Sequence, residues 1–158
     1  MNNPDLIELL TKVTETVKRA GIFLLEEWDR PNGPRGQDQK AMIDLEIENN
    51  LRPKLLSLFP CDFWGEETGY ILTGDAWCWV VDPNDGTSDF LKGLKGSAIS
   101  VGLLHKAIPV LGVVYAPVTP EGLPDCIGWA EGLPHLIRNS QPISSCLANK
   151  KFDLAHIQ

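Results

Sequence analysis

Two carboxylates three residues apart, Asp82 and Asp85, lie in the stretch WVVDPNDGTSDF (residues 79–90), where an apolar β-type run passes into turn residues and then a short helical pattern. Pro83 fixes its own φ and pushes Asp82 toward extended backbone, while Gly86 permits a conformation that a side chain would obstruct. The two carboxylates can then face one point. If Thr87 opens a helix, the free N–H groups near Gly86 and Thr87 and the positive end of the helix dipole face that point as well and favour an anion. Hard oxygen donors beside an anion hole suggest magnesium and phosphate.

Bare carboxylates about 4 Å apart repel by roughly 4 kcal/mol at an effective dielectric of about 20. A divalent cation reverses that sign locally and attracts a phosphate. Taken alone, Asp, Pro, Asn and Gly also describe an ordinary turn at the end of a strand. A calcium loop fails on register: counted from Asp82, Gly86 falls at position five, where that loop needs an oxygen ligand and keeps its glycine for position six.

Further acids lie upstream. GEETG (residues 65–69) follows a short strand-like run and carries Glu66 and Glu67, and IDLEIE places Asp44 and Glu48 one helical turn apart. The elements that must position them read as follows. Leu6, Leu10, Val13, Val17, Ala20, Leu24 and Trp28 step by three or four and predict a long helix, with Asn3 as its cap and Pro4 at the first helical position. RPNGPRG (residues 30–36) ends it in a loop. Ile43, Ile47, Leu51 and Leu55 predict a second helix that Pro53 should kink or restart, with Phe59-Pro60 as its stop. The period then changes toward two, with strands expected at 62–65, 76–82, 97–105, 109–115 and 126–131 around a short helix at 87–91. Helices followed by hairpin-connected strands give an α+β fold: layered helices on a largely antiparallel sheet. With no repeat, low-complexity tract or clear linker, residues 1–158 are expected to form a single domain.

Taken together, Asp44, Gly65-Glu66-Glu67 and Asp82-Pro83-Asn84-Asp85-Gly86-Thr87, followed by VGLLHKAIPVLGVVYAPV, resemble the inositol monophosphatase family of magnesium-dependent phosphatases. That family's pattern runs Asp, then Gly-Glu-Glu, then Asp-Pro-(Ile/Leu)-Asp-Gly-Thr. The resemblance covers essentially the whole chain but only the N-terminal domain of the inositol monophosphatase and sugar phosphatase fold. It implies hydrolysis of a small, inositol-phosphate-like phosphomonoester by a metal-activated water. Carried over, Glu66 binds a first Mg2+, Asp82 bridges two, the Asn84 carbonyl completes the first site and Asp85 serves the second. Asp44 and Thr87 orient and help deprotonate the attacking water, and the phosphate rests on Asn84, Asp85, Gly86 and Thr87. Relatives are usually dimers, which leaves a homodimer open for this chain.

Three departures stand out. Asn84 occupies a position that is usually Ile or Leu, and Asp89 one that is often Asn. The family's third signature, Trp-Asp-x-x-Ala-Gly, is absent, since the Trp28-Asp29 pair is followed by Arg-Pro-Asn-Gly. The family's C-terminal domain is therefore not expected within these residues. A bisphosphate nucleotidase, a sugar bisphosphatase and a non-catalytic metal- or phosphate-binding module stand as alternatives.

Other residues receive plainer readings. Glu67 is either a partner that orients a ligand water or a solvated carboxylate, and Glu48 is expected in a surface ion pair. Lys92 and Lys95 read as solvated, His105, His135 and His156 have no metal-binding spacing, and Trp64, Trp77 and Trp79 should fill the core or a sheet face. The composition, 43 % hydrophobic and 22 % charged over 158 residues, is globular. A net charge of −7 and a pI near 4.9 argue against a nucleic-acid backbone or an anionic membrane as partner. Four cysteines without Cys-x-x-Cys spacing fit reduced thiols, and the N-terminus MNNPDLIELL lacks a signal-peptide pattern. The expected compartment is the cytoplasm.

Overall fold

A computed structural model describes residues 3–37 and 40–143. Helix α1 (Leu6–Trp28) and helix α2 (Met42–Leu58) pack against each other and on one face of an eight-stranded sheet. Between them lies a small hairpin, β1 (Gly36–Gln37) with β2 (Lys40–Ala41). The sheet strands in chain order are β3 (Asp62–Gly65), β4 (Gly69–Ile71), β5 (Trp77–Asp85), β6 (Ala98–His105), β7 (Ile108–Ala116), β8 (Asp125–Ala130), β9 (Ile137–Arg138) and β10 (Gln141–Pro142). Their spatial order is β10-β9-β8-β7-β6-β5-β3-β4, with every pairing antiparallel except β3 with β5. Helix α3 (Thr87–Leu91) follows β5 directly. The expected α+β architecture with a largely antiparallel sheet is what the chain adopts.

The apolar stripe of α1 is buried as its spacing requires, from Leu10 through Val13, Val17 and Ala20 to Leu24. Its start differs from the sequence expectation. Asp5, not Asn3, is the N-cap, because its Oδ1 accepts from the N–H groups of Ile7 and Glu8 at 3.0 Å each, which leaves Pro4 outside the helix. Helix α2 runs unbroken through Pro53, whose ring is exposed. Proline removes only the bond to the Asn49 carbonyl, and Asn49 is itself exposed to water.

The core lies between the helices and one sheet face, filled by Phe63, Trp79, Val81, Val101, Leu103 and Leu111 from the strands. Trp79 is fully buried and its indole N–H donates to the Phe59 carbonyl at 2.9 Å. Trp77 is buried too, stacked on the His105 ring at 4.1 Å, whereas Trp64 stands 53 % exposed on the other face beside Tyr70. Of the cysteines, Cys61, Cys78 and Cys126 are free thiols, and Cys146 and His156 lie outside the described residues. Among the described residues no helix is long and apolar enough to cross a membrane.

Candidate active site

Strand β5 alternates as a half-buried strand should: Trp77, Trp79 and Val81 point to the helices, Cys78, Val80 and Asp82 to the open face. The alternation then breaks. Between Asp82 and Asp85 three residues of β5 advance while β6 advances two, from Ser100 to Ala98, and the extra residue is a bulge. Pro83 explains its place, since a residue without an N–H is confined to such irregularities inside a sheet. The bulge has a chemical result. Asp82 stays half-exposed on the open face, while Asn84, two residues on, turns inward and is 1 % exposed.

Asn84 there meets the first turn of α2. Its amide donates to Asp44 Oδ1 at 2.9 Å, and the Thr87 hydroxyl lies 3.1 Å from Asp44 Oδ2 and 2.8 Å from the Asn84 carbonyl oxygen. Asp44 lies in the first turn of α2, a helix whose N-cap position, Ala41, has no side-chain cap. Burial pushes the Asp44 carboxyl up to about 6, against the pull of its bonds from Asn84 and Thr87 and with the Glu67 charge adding to the rise. Sequence spacing separates these residues by about forty positions; the fold places them in direct contact.

On the open side Glu66 meets Asp82. The Glu66 N–H donates to the Val81 carbonyl at 3.1 Å, which carries the β3–β5 pairing one step past Gly65 and sets the two carboxyls side by side. Glu66 is exposed, yet partial desolvation of its carboxyl, then the hydrogen bond and charge of Asp82, with Glu67 and Asp44 behind them, hold it up at about 7. Asp82 Oδ1 in turn accepts from the Asn84 N–H at 3.0 Å, which closes a local turn across the bulge. A shallow groove lined by Val80, Ser100, Gly102 and Val114 leads along the open sheet face to this pair.

Asp85 is exposed at the end of β5, and among the described residues its carboxylate makes no hydrogen bond. Gly86 adopts φ +93° as the N-cap of α3, a left-handed conformation that glycine tolerates and that lets the chain reverse into the helix. Lys92 is exposed and pairs with Asp89 at 3.4 Å, and Lys95 and His135 are exposed.

Glu48 corrects the sequence expectation. It is fully buried rather than in a surface ion pair, and its carboxylate accepts from the N–H groups of Glu67 and Thr68 at 2.8 Å each and from the Thr68 hydroxyl. The spacing from Asp44 did place both on one helical face; that face looks inward. The glycine at Gly65 was the available signal, because a Cβ there would collide with the Glu48 carboxylate.

Among the described residues no three His, Cys, Asp or Glu side chains converge as a ready-made cation cage. The donor chemistry nonetheless suits a hard cation: two adjacent carboxyls, one of them raised to about 7 by desolvation and by the other, are what a divalent ion relieves. Glu66 and Asp82 are the adjacent groups that would hold it.

A two-helix layer on a mostly antiparallel sheet thus carries acids from α2, the β3–β4 turn and the β5–α3 corner. A sequence profile of the inositol monophosphatase family matches residues 5–147, and the chain belongs to that family. The probable inositol 1-monophosphatase ImpA of Mycobacterium tuberculosis is 36 % identical over 54 % of this chain and 32 % of its own. Inositol monophosphatase 3 of Solanum lycopersicum is 32 % identical over 75 % of this chain and 47 % of its own. A fructose-1,6-bisphosphatase/inositol-1-monophosphatase of Aquifex aeolicus is 34 % identical over 51 % of this chain and 31 % of its own. Among solved structures, the inositol monophosphatase of Anabaena (Nostoc) sp. PCC 7120 superposes with a TM-score of 0.72 at 25 % identity, over 89 % of this chain and 50 % of that one. The chain thus spans about half the length, or less, of the relatives it matches.

Proposed function

We propose that residues 1–158 form the N-terminal, metal-binding domain of a cytoplasmic magnesium-dependent phosphatase that hydrolyses a small, inositol-phosphate-like phosphomonoester. The observation that carries this reading is the gathering of Asp44, Asn84 and Thr87 into one hydrogen-bonded set beside the Glu66–Asp82 pair. It is supported by membership of the inositol monophosphatase family.

Glu66, Asp82, Asp85 and the Asn84 carbonyl would hold Mg2+, and the bound ions would supply charge neutralisation at the phosphoryl group and acidify water. Thr87 Oγ1 has a single proton and two acceptors in reach, Asp44 Oδ2 and the Asn84 carbonyl. With that proton committed to Asp44, the hydroxyl oxygen accepts a proton from the attacking water. Asp44 at a pKa of about 6 is poised to take the relayed proton near neutral pH. Gly86 and Thr87 offer backbone N–H groups to the phosphate, and the negative overall charge makes the ions necessary for attracting it.

The test is phosphate release from inositol 1-phosphate, fructose 1,6-bisphosphate and a nucleotide 3′,5′-bisphosphate, with Mg2+ and with chelator. Mg2+-dependent release, lost in Asp82→Asn, supports the proposal and ranks the substrates. Among the described residues no three acidic side chains converge on one point, which favours one second reading, a module that binds Mg2+ and phosphate without turnover. Binding in calorimetry with no release from any of the three substrates would select it.

A further inference from the structure

We infer that Glu48 is the positioning residue that sets the Glu66–Glu67 turn against Asp82, an inference that rests on the metal-binding reading of that turn. The turn joins β3 to β4 and has few anchors of its own. The Glu66 N–H is tied to the Val81 carbonyl at 3.1 Å. The next two N–H groups, of Glu67 and Thr68, both end on the Glu48 carboxylate at 2.8 Å, one on each oxygen, and the Thr68 hydroxyl joins them. A carboxylate does this because it is an acceptor on both oxygens. Glutamine in its place turns an N–H2 toward one of those amides, so one arm of the clamp becomes a donor facing a donor.

Three further features are shaped around this carboxylate. Gly65 leaves it room, since a Cβ at that position would overlap Glu48. Thr68 Oγ1 accepts from Arg52 Nη1 at 2.8 Å, so a guanidinium one helical turn beyond Glu48 braces the same threonine. Arg52 is itself held over the Phe63 ring, 4.7 Å from its centroid. Helix α2 thus presents successive turns to the site: Asp44 reaches the β5 bulge, Glu48 the β3–β4 turn, and Arg52 the far end of that turn. One rigid helix fixes the distance between the proton acceptor and the turn that carries Glu66. Groups that orient metal ligands without touching the ion commonly change affinity by about 10- to 100-fold when altered.

The experiment compares wild type with Glu48→Gln by two readouts, Mg2+ affinity in calorimetry and amide hydrogen exchange by NMR. The expected result is Mg2+ binding weakened about tenfold or more, with the Glu67 and Thr68 amides exchanging about tenfold faster or more while Val101 and Leu103 in the central strand keep their protection. Wild-type affinity together with wild-type exchange at those two amides overturns the inference. If wild type itself binds no Mg2+, the metal reading of the site falls, and exchange at Glu67 and Thr68 alone decides the role of Glu48. If E48Q does not fold, Thr68→Val serves instead, since it keeps both backbone arms and removes the hydroxyl that joins Glu48 and Arg52; exchange at Glu67 a few-fold faster than in Arg52→Met, which removes the brace alone, supports the clamp, and equal exchange overturns it.

Discussion

Asn84 donates its side-chain amide to Asp44 Oδ1 at 2.9 Å, across the line where the N-terminus of α2 meets the bulge in β5. The other end of the same side chain, Oδ1, is buried and accepts from no protein group. Asparagine at this position therefore gives Asp44 a donor and leaves an acceptor bare.

Replacing Asn84 by leucine, the type usual at this position in the family pattern, removes both effects. An orphaned buried acceptor costs about 1–3 kcal/mol and a lost hydrogen bond about 1 kcal/mol, so Asn84→Leu should change stability by no more than about 2 kcal/mol, toward greater stability. The same change removes a bond that lowers the Asp44 pKa, which should rise above its value of about 6. Urea denaturation and carboxyl NMR titration check the two halves separately.

Mg2+ binding should release protons near pH 6.5. Glu66 is held up at about 7 by partial desolvation and by Asp82, so it is largely protonated there before the ion arrives. The sign for stability follows from the raised carboxyls of Asp44 and Glu66: the metal-free fold is favoured at low pH and loses that contribution as pH climbs through 6 to 7. The rise in Tm on adding Mg2+ should accordingly be larger at pH 8 than at pH 5. Calorimetry in two buffers of different ionisation enthalpy measures the protons directly.

Glu27 should govern part of the acid transition. It is 3 % exposed and accepts from the Arg35 backbone N–H at 2.6 Å and from its guanidinium at 2.7 Å, latching the loop after α1 to that helix. Burial raises its carboxyl, but the Arg35 hydrogen bonds and charge, with Arg30 added, outweigh that and leave it below the usual range. A lowered carboxyl contributes stability above its unfolded pKa near 4.5, and that contribution disappears as pH falls through the folded value. Glu27→Gln should cost about 1–2 kcal/mol at pH 7, a figure held down because the Arg35 side chain is 38 % exposed. The difference from wild type should shrink at pH 3, read by chemical denaturation at both pH values.

Gly21→Ala should destabilise the protein although it favours the helix. Alanine gains about 1 kcal/mol over glycine within an α-helix. Here its Cβ would run into the Tyr115 ring, where α1 packs on β7, and crowding of that kind costs about 1–3 kcal/mol. A lower Tm is expected, and Gly21→Ala combined with Tyr115→Leu should recover most of it.

The stripe from Leu10 to Leu24, the alternation Trp77-Trp79-Val81 and the turn chemistry of Pro83 and Gly86 were legible because each is a local pattern with its own period. They gave both helices, the main strands and the order of the acidic segments. Asp5 outbid Asn3 as the cap because two N–H groups met one carboxylate, which composition alone does not rank. The Trp64 ring faces outward because its strand pleat, not its hydrophobicity, decides its side.

What sequence alone determined was which oxygen donors the chain possesses and on which short segments they ride, since residue type and local periodicity are properties of neighbours. What only the tertiary structure decided was their company. The β5 bulge sends Asn84 to Asp44 and leaves Asp82 for Glu66, and the inward face of α2 makes Glu48 a clamp on the turn. Those outcomes depend on contacts between segments far apart in the chain, set by sheet register and close packing, and neither is written in any single stretch of residues.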